Sequence, residues 1–460
     1  YLRRLIMIFK NIVESFAVNY AHNSIQKSLY NEFNIDILNT TYTKTPKKDK
    51  KYMLYAHVPF CHTFCPYCSF HKYHYEQELA KIYFENLREE MRQIKEAGFD
   101  FTSLYVGGGT TLINEPELEK TLKLAKDLFS IEDVSAESDP NHISPESLSR
   151  FDGLIDRLSV GVQSFDDETL KRVGRYDKFG SAEETKRKLE QALGKIPVIS
   201  LDLIFNLPNQ TKEQLINDIN TAKSISPQQI TFYPLMKSEL TRENIARALG
   251  VSNVDNEREF YEIIVSEFAK GGYRQSNAWA FSNEKSADLR DEYVGSNLEY
   301  VGVGSGAFSF LDGELVINAF NLLDYGRKVK DRQSPVIAKC AFSKKERLKY
   351  TFLTRLFDGA VDIKTYNEQN DANINKDLFV ELSLLKLVNA IYEENGVIKP
   401  TFFGKYICVV LMRDFYAGMD KVRAIFKDDA KIKRSKVLHI MSEDTEQKFD
   451  QNIIQPRAAM

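Results

Sequence analysis

An α/β fold, an open and partial (β/α)6 TIM-like barrel with a smaller, mainly helical C-terminal domain, is predicted by three observations. Between residues 52 and 235, short β-branched or aromatic runs alternate with longer patterns of helical period, as in repeated βαβ units with a parallel sheet. Six such strands are legible, too few for the eight that close a barrel, so the sheet stays open with its chemistry at the strands' carboxyl ends. From about residue 340 to 427 the pattern turns mostly helical, with one strand-like turn at 396–400.

In chain order, residues 1–50 read as a helical extension that ends in the polar linker 43–51, whose lysines and proline suit an exposed connection. The apolar run 5–9 after Arg3 and Arg4 is far short of the ~20 residues of a membrane span, and no small-residue cleavage site follows it. Met7 is a candidate natural initiator. The six strands are expected at 52–58, 103–106, 134–138, 154–160, 198–205 and 229–234. Between them, helices at 76–97, 115–129, 182–193 and 212–224 are long enough for right-handed crossovers, with Asp133, Ser144, Ser181 and Thr211 at turn or cap positions. A further helix near 255–270 leads to a Gly-rich stretch. The expected division is an extension (1–50), a catalytic domain (51–335), a C-terminal domain (336–427) and a charged, loosely ordered tail (428–460).

The chain has 460 residues, 43% of them hydrophobic, enough for one large core and a satellite. With 62 basic and 65 acidic residues, bulk charge points to neither a nucleic-acid surface nor a polybasic membrane anchor. A small-molecule partner, a monomer and a reducing, cytoplasmic setting are expected. Of five cysteines, Cys61, Cys65 and Cys68 fall in one loop with the spacing C-x3-C-x2-C, directly after the first strand. That distribution suits a metal centre and not a disulfide framework. Three thiolates suit a [4Fe–4S] cluster with one iron left open to another ligand. A zinc site completed by His57, His62, His71 or His74 is the competing reading, and Cys340 and Cys408 read as core residues.

The words around these cysteines carry a resemblance. Tyr55-Ala56-His57-Val58-Pro59-Phe60-Cys61 is similar to the Y-x-H-I-P-F-C opening of the oxygen-independent coproporphyrinogen III oxidase group of the radical S-adenosylmethionine (SAM) superfamily. Arg157-Leu158-Ser159-Val160-Gly161-Val162-Gln163-Ser164-Phe165, with Gly174-Arg175 after it, resembles that group's R-L-S-x-G-V-Q-S-F. Asp202-Leu203-Ile204 through Leu207-Pro208 resembles D-L-I-x-x-L-P, and Gly302 to Ala307 resembles the L-G-x-G-x-x-A loop.

The resemblance implies a [4Fe–4S] cluster on Cys61, Cys65 and Cys68, and SAM on the open iron as the source of a 5′-deoxyadenosyl radical. It implies that SAM is met by Tyr55, Tyr67, Gly108, Gly109 and Thr110 of the Gly107-Gly108-Gly109-Thr110 turn, and by Glu137, Gln163, Arg175 and Asp202. Arg175 and Tyr67 are the residues it places at the substrate, Arg175 as a fork for a methionyl or propionate carboxylate. Haem or another tetrapyrrole is the implied substrate or ligand, and flavodoxin or ferredoxin the implied kind of reducing partner.

Within the group the chain departs from two branches. The oxidases proper carry a fourth cysteine where Phe70 stands, and the haem-chaperone branch carries H-N-x-x-Y-W, which is missing between Trp279 and Tyr300. A third branch, of radical methyltransferases and anaerobic haem-opening enzymes, is compatible with Tyr67-Cys68-Ser69-Phe70, and His71 and His74 are its candidate haem ligands. The group's Gly turn continues with proline, where Thr111 stands here.

Overall fold

The computed structural model of the protein describes Glu14 and residues 18–20, 35–38, 42–47, 50–252, 254–286 and 299–437, with side chains as far as Phe426. The apolar run 5–9 with Arg3, Arg4 and Met7, most of the helical extension, residues 291–293 and the tail beyond 437 lie outside the described residues.

Six strands form one continuous parallel run in chain order: Tyr52–Val58, Phe101–Gly108, Asp133–Ser138, Arg157–Gln163, Val198–Phe205 and Gln229–Pro234. Near-unbroken burial along them reflects a sheet covered on both faces, which is why they read as apolar runs. The helices that cover it, Gln77–Glu96, Glu115–Leu128, Ala182–Ala192 and Lys212–Ile225, lie within two residues of expectation. Gln77–Glu96 buries Ala80, Tyr83, Phe84, Leu87, Met91 and Ile94, the three- and four-residue spacing of one helical face. Ser144, Ser181 and Thr211 are N-caps whose side chains accept backbone N–H bonds, whereas Asp133 begins a strand.

Two expectations about the sheet are corrected. The fourth strand starts at Arg157 and not at 154, because Phe151 to Ile155 close a turn in which the Phe151 carbonyl accepts from both Leu154 and Ile155. The apolar Leu154 and Ile155 that looked like strand residues pack from that turn. The sheet also holds 13 strands among the described residues, because the Gly-rich stretch contributes Tyr300–Val303, parallel to the first strand, and antiparallel strands extend both edges. Among the described residues no ladder joins the two edges.

The main sheet runs on through Val336–Ala341, past the expected boundary at 335. Beyond it come helices, including Lys344–Phe357 and the long Phe402–Val437, with a small three-stranded sheet of Val361–Asp362, Val397–Pro400 and Ile391–Glu394. The strand-like turn is therefore one arm of a hairpin, turned by Asn395 and Gly396 at positive φ. The linker reading is corrected at Lys44, which is buried and donates to the Gly302 carbonyl at 2.9 Å.

Candidate active site at the carboxyl ends of the parallel strands

The cysteine loop leaves the first strand at Val58 and is pinned by backbone. Tyr75 N–H donates to the Cys61 carbonyl at 3.0 Å and Cys68 N–H to the Cys65 carbonyl at 3.2 Å. The glycine turn after the second strand lies against it, with Gly109 N–H on the Val58 carbonyl and Thr110 N–H on the Phe60 carbonyl, both at 2.8 Å. The glycines are required by this contact. A Cβ on Gly109 would stand 2.4 Å from the Phe60 carbonyl oxygen, and one on Gly108, at φ +121°, 2.5 Å from the His57 ring. Thr111, where the resembling group's turn continues with proline, is fully buried and its hydroxyl donates to the Glu137 carbonyl, tying the turn to the third strand.

A cavity of about 300 Å³ opens over the strand ends. Its walls include Cys61, Cys65 and Cys68, together with Tyr55, Tyr67, Gly108, Gly109, Thr110, Glu137, Gln163, Arg175 and Asp202. Every residue expected at the cluster or at SAM is thus brought to one place. Each is held. Glu137 accepts from Tyr105 Oη at 2.9 Å and from Gly108 N–H at 3.1 Å. Asp202 accepts from Ser159 Oγ at 2.7 Å. Gln163 sits at φ +76°, at the carboxyl end of its strand, and strain of this kind in a non-glycine residue collects at functional sites.

Arg175 is the electrostatic centre of the cavity wall. It is buried, donates through Nη1 to Tyr67 Oη at 3.3 Å and Cys65 Sγ at 3.6 Å, and donates through Nη2 to the Gly161 carbonyl. Its Nε has no hydrogen-bond partner. Burial opposes its charge, but Tyr67, Cys65 and Asp139 hold its pKa above the usual guanidinium range. Burial likewise raises the Cys65 thiol, yet Arg175, Lys72 and Lys178 outweigh it and bring Cys65 below the ordinary thiol value. Cys61, where burial wins over Lys72 and Lys178, is pushed up to about 11. Cations around a thiol favour the thiolate that a metal needs.

The donor set fits an iron–sulfur cluster. The three thiols are free of disulfides and face one cavity beside three cations. Among the described residues no histidine completes a zinc site. His57 Nδ1 is bonded to Tyr55 Oη at 2.8 Å and Nε2 to the His71 carbonyl at 3.0 Å, and burial lowers its pKa to about 4. His71 is buried and bonded to Ser305, His74 stacks on Phe64, and His62 lies between the rings of Tyr75 and His142. None of the four lines the cavity, so the reading of His71 and His74 as haem ligands is corrected: their rings are spent on the loop's own packing. Among the described residues no three Cys, His, Asp or Glu side chains are arranged to hold a single metal ion. Cys340 and Cys408 are buried core residues, as expected.

Sequence reasoning missed several walls. Asp139 accepts from Thr110 Oγ1 at 3.0 Å and pairs with His142 at 2.8 Å; burial opposes its charge, but the His142 bond and Lys178 bring it down to about 2. Lys72 donates to the Cys68 carbonyl at 2.9 Å. From the far end of the chain, Tyr416, Asp420 and Arg423 of the helix Phe402–Val437 also line the cavity. The only sequence signal for them was the apolar Met419, Val422 and Phe426 on the same helix, which pack into a second core with Leu315, Phe320 and Cys340.

Comparison with known proteins agrees with this geometry. The model of the Radical SAM superfamily matches residues 55–222. The heme chaperone HemW of Bacillus subtilis is 30% identical over 296 residues, 61% of this chain and 76% of the relative. The oxygen-independent coproporphyrinogen III oxidase of Helicobacter pylori J99 is 27% identical over 412 residues, 83% of this chain and 86% of the relative. Among solved structures, coproporphyrinogen III oxidase from Escherichia coli shares the fold at a TM-score of 0.66 and 19% identity, covering 79% of this chain and 90% of its own. No helix among the described residues is long and apolar enough to cross a membrane. With a cysteine loop, glycine turn and strand-end polar groups meeting in one cavity, the chain belongs to the radical SAM superfamily, in the family of HemW heme chaperones and oxygen-independent coproporphyrinogen III oxidases.

Proposed function

We propose that the protein is a coproporphyrinogen III oxidase-like radical SAM protein of haem or tetrapyrrole metabolism. It works as a cytoplasmic monomer with a one-electron donor such as flavodoxin or ferredoxin. The observation that carries this reading is the single cavity in which the three thiols meet the strand-end groups Glu137, Gln163, Arg175 and Asp202. When bound, a [4Fe–4S] cluster with SAM on its open iron supplies the electron that splits the sulfonium.

The chain's own residues do the rest. Cys61, Cys65 and Cys68 would hold the cluster, with Arg175, Lys72 and Lys178 offsetting the thiolate charge. Glu137, braced by Tyr105, and Asp202, braced by Ser159, present acceptors to the cationic and hydroxyl groups of SAM. The Gly108 and Gly109 N–H groups are already spent on Glu137 and Val58, so they set the loop's position instead of binding. Tyr67 and Arg175, joined at 3.3 Å, form one wall of the cavity beside the cysteine loop and put the guanidinium charge where a ligand carboxylate would be drawn.

Phe70, at the position of the oxidases' fourth cysteine, supports a second reading, in which the protein binds and delivers haem without oxidase turnover. The test is anaerobic incubation with SAM, reductant and either coproporphyrinogen III or haem. Formation of 5′-deoxyadenosine with a tetrapyrrole-derived product supports an enzyme. Haem retained with SAM uncleaved supports delivery. Failure to bind any tetrapyrrole sinks both.

A further inference from the structure

The C-terminal helix places a second guanidinium in the cavity, separate from Arg175. Arg423 is buried at 8% exposure and lies over the rings of Phe70 at 5.1 Å and Phe308 at 5.7 Å. Its Nη1 donates to Asp420 Oδ1, one helical turn away, at 2.5 Å. Among the described residues Nε and Nη2 make no hydrogen bond, and neither is sealed inside the protein. A guanidinium shielded by two aromatic rings and held by one carboxylate keeps donors in a fixed fork for a second. The helix is not free to swing it away. Met419, Val422 and Phe426 on the adjoining face are buried against Leu315, Phe320 and Cys340, which fixes the helix in place.

The two guanidinium groups stand on different walls. Arg175 is bonded to Cys65 and Tyr67 and stacks on Phe179, at the carboxyl end of the fourth strand. Arg423 is braced by Phe70, just past the last cluster cysteine, on the helix that covers the site. The position that is cysteine in the oxidases proper is here the aromatic platform of that arginine. SAM carries one carboxylate, and the wall with the thiols and Arg175 is the one suited to it. We propose that Arg423 takes a carboxylate of the other ligand, a tetrapyrrole propionate, with Asp420 and Phe70 as its positioning residues. This rests on the tetrapyrrole reading above.

The test is an absorbance titration of anaerobically reconstituted full-length protein with haem and with haem dimethyl ester, whose propionates are masked. The wild type should bind haem about 10- to 100-fold more tightly than the ester, the range of one to two charge-assisted hydrogen bonds. Arg423→Gln should bring haem down to the level of the ester, and Arg423→Lys should keep part of the preference, with iron content unchanged in both. Because Arg423→Gln leaves Asp420 buried alone, the double variant Asp420→Asn/Arg423→Gln, which removes the pair as a unit, should show the same loss. A full preference for haem in the folded double variant, or no preference in the wild type, overturns the inference and leaves the functional reading standing. A wild type that binds neither ligand overturns both.

Discussion

Adding one methyl group at Gly109 should cost the protein its metal site. The substitution Gly109→Ala puts a Cβ 2.4 Å from the Phe60 carbonyl oxygen, 2.9 Å from its nitrogen and 3.0 Å from its carbonyl carbon. All three are backbone atoms, so no side chain can swing aside. Normal contact begins near ~3.4 Å, so the two strands of backbone must part by about 1 Å, and overpacking of this kind costs ~1–3 kcal/mol. Parting also stretches the bonds Gly109 N–H to Val58 and Thr110 N–H to Phe60, both 2.8 Å, each worth ~0.5–1.5 kcal/mol. Against this, Gly109 is not at positive φ, so alanine would otherwise stabilise by ~0.4–1 kcal/mol through the unfolded chain. The net expectation is a loss of roughly 2–4 kcal/mol. Because Phe60 precedes Cys61, the displacement is delivered to the first thiol. The assays are thermal unfolding and iron bound per chain after anaerobic reconstitution; the variant should melt lower and bind less iron. A melting temperature at or above that of the wild type, with full iron, would refute the claim that packing requires glycine here.

Three further outcomes follow from the same geometry. Replacing any of Cys61, Cys65 or Cys68 with Ala should abolish the binding of about four irons per chain, while Cys340→Ala and Cys408→Ala leave it intact; stoichiometric zinc without iron–sulfur absorbance would remove the cluster. Glu137→Ala, Gln163→Ala and Asp202→Ala should keep the iron but slow 5′-deoxyadenosine release, and unchanged release in all three would dismiss their assigned roles. His57, buried neutral with its pKa near 4, should make the protein acid-labile. Its folded pKa lies below the unfolded ~6.5, so the unfolded chain takes the proton first, and stability falls by up to about 3 kcal/mol between pH 6.5 and 4. His57→Gln should flatten that part of a stability profile measured against pH, and an unaltered slope would count against His57 as its source.

Local chemistry explains what was readable from the chain. The strand at 198–205 and the helix at 115–128 are runs whose period and caps are set by neighbouring residues, so their bounds came through nearly intact. The turn at Leu154 and Ile155 did not, because an apolar pair packs equally well from a turn or a strand, and only the bond to Phe151 tells them apart. The Gly-rich stretch likewise hid a strand, since Tyr300–Val303 gains its partner from the first strand, about 250 residues earlier.

The sequence by itself determined the chemistry: three thiols at C-x3-C-x2-C, a glycine turn, and polar residues at strand ends are local patterns, and the parallel order of the strands brings them to one face. What only the tertiary structure decided is who else faces them. His57, His62, His71 and His74 sit near the cysteines in sequence yet turn to Tyr55, Tyr75, Ser305 and Phe64. Tyr416, Asp420 and Arg423, some 350 residues away, close over the cavity because the adjoining face of their helix is buried in a second core. Distance along the chain carries no information about such contacts; burial of apolar surface on the adjoining face of the helix selects them.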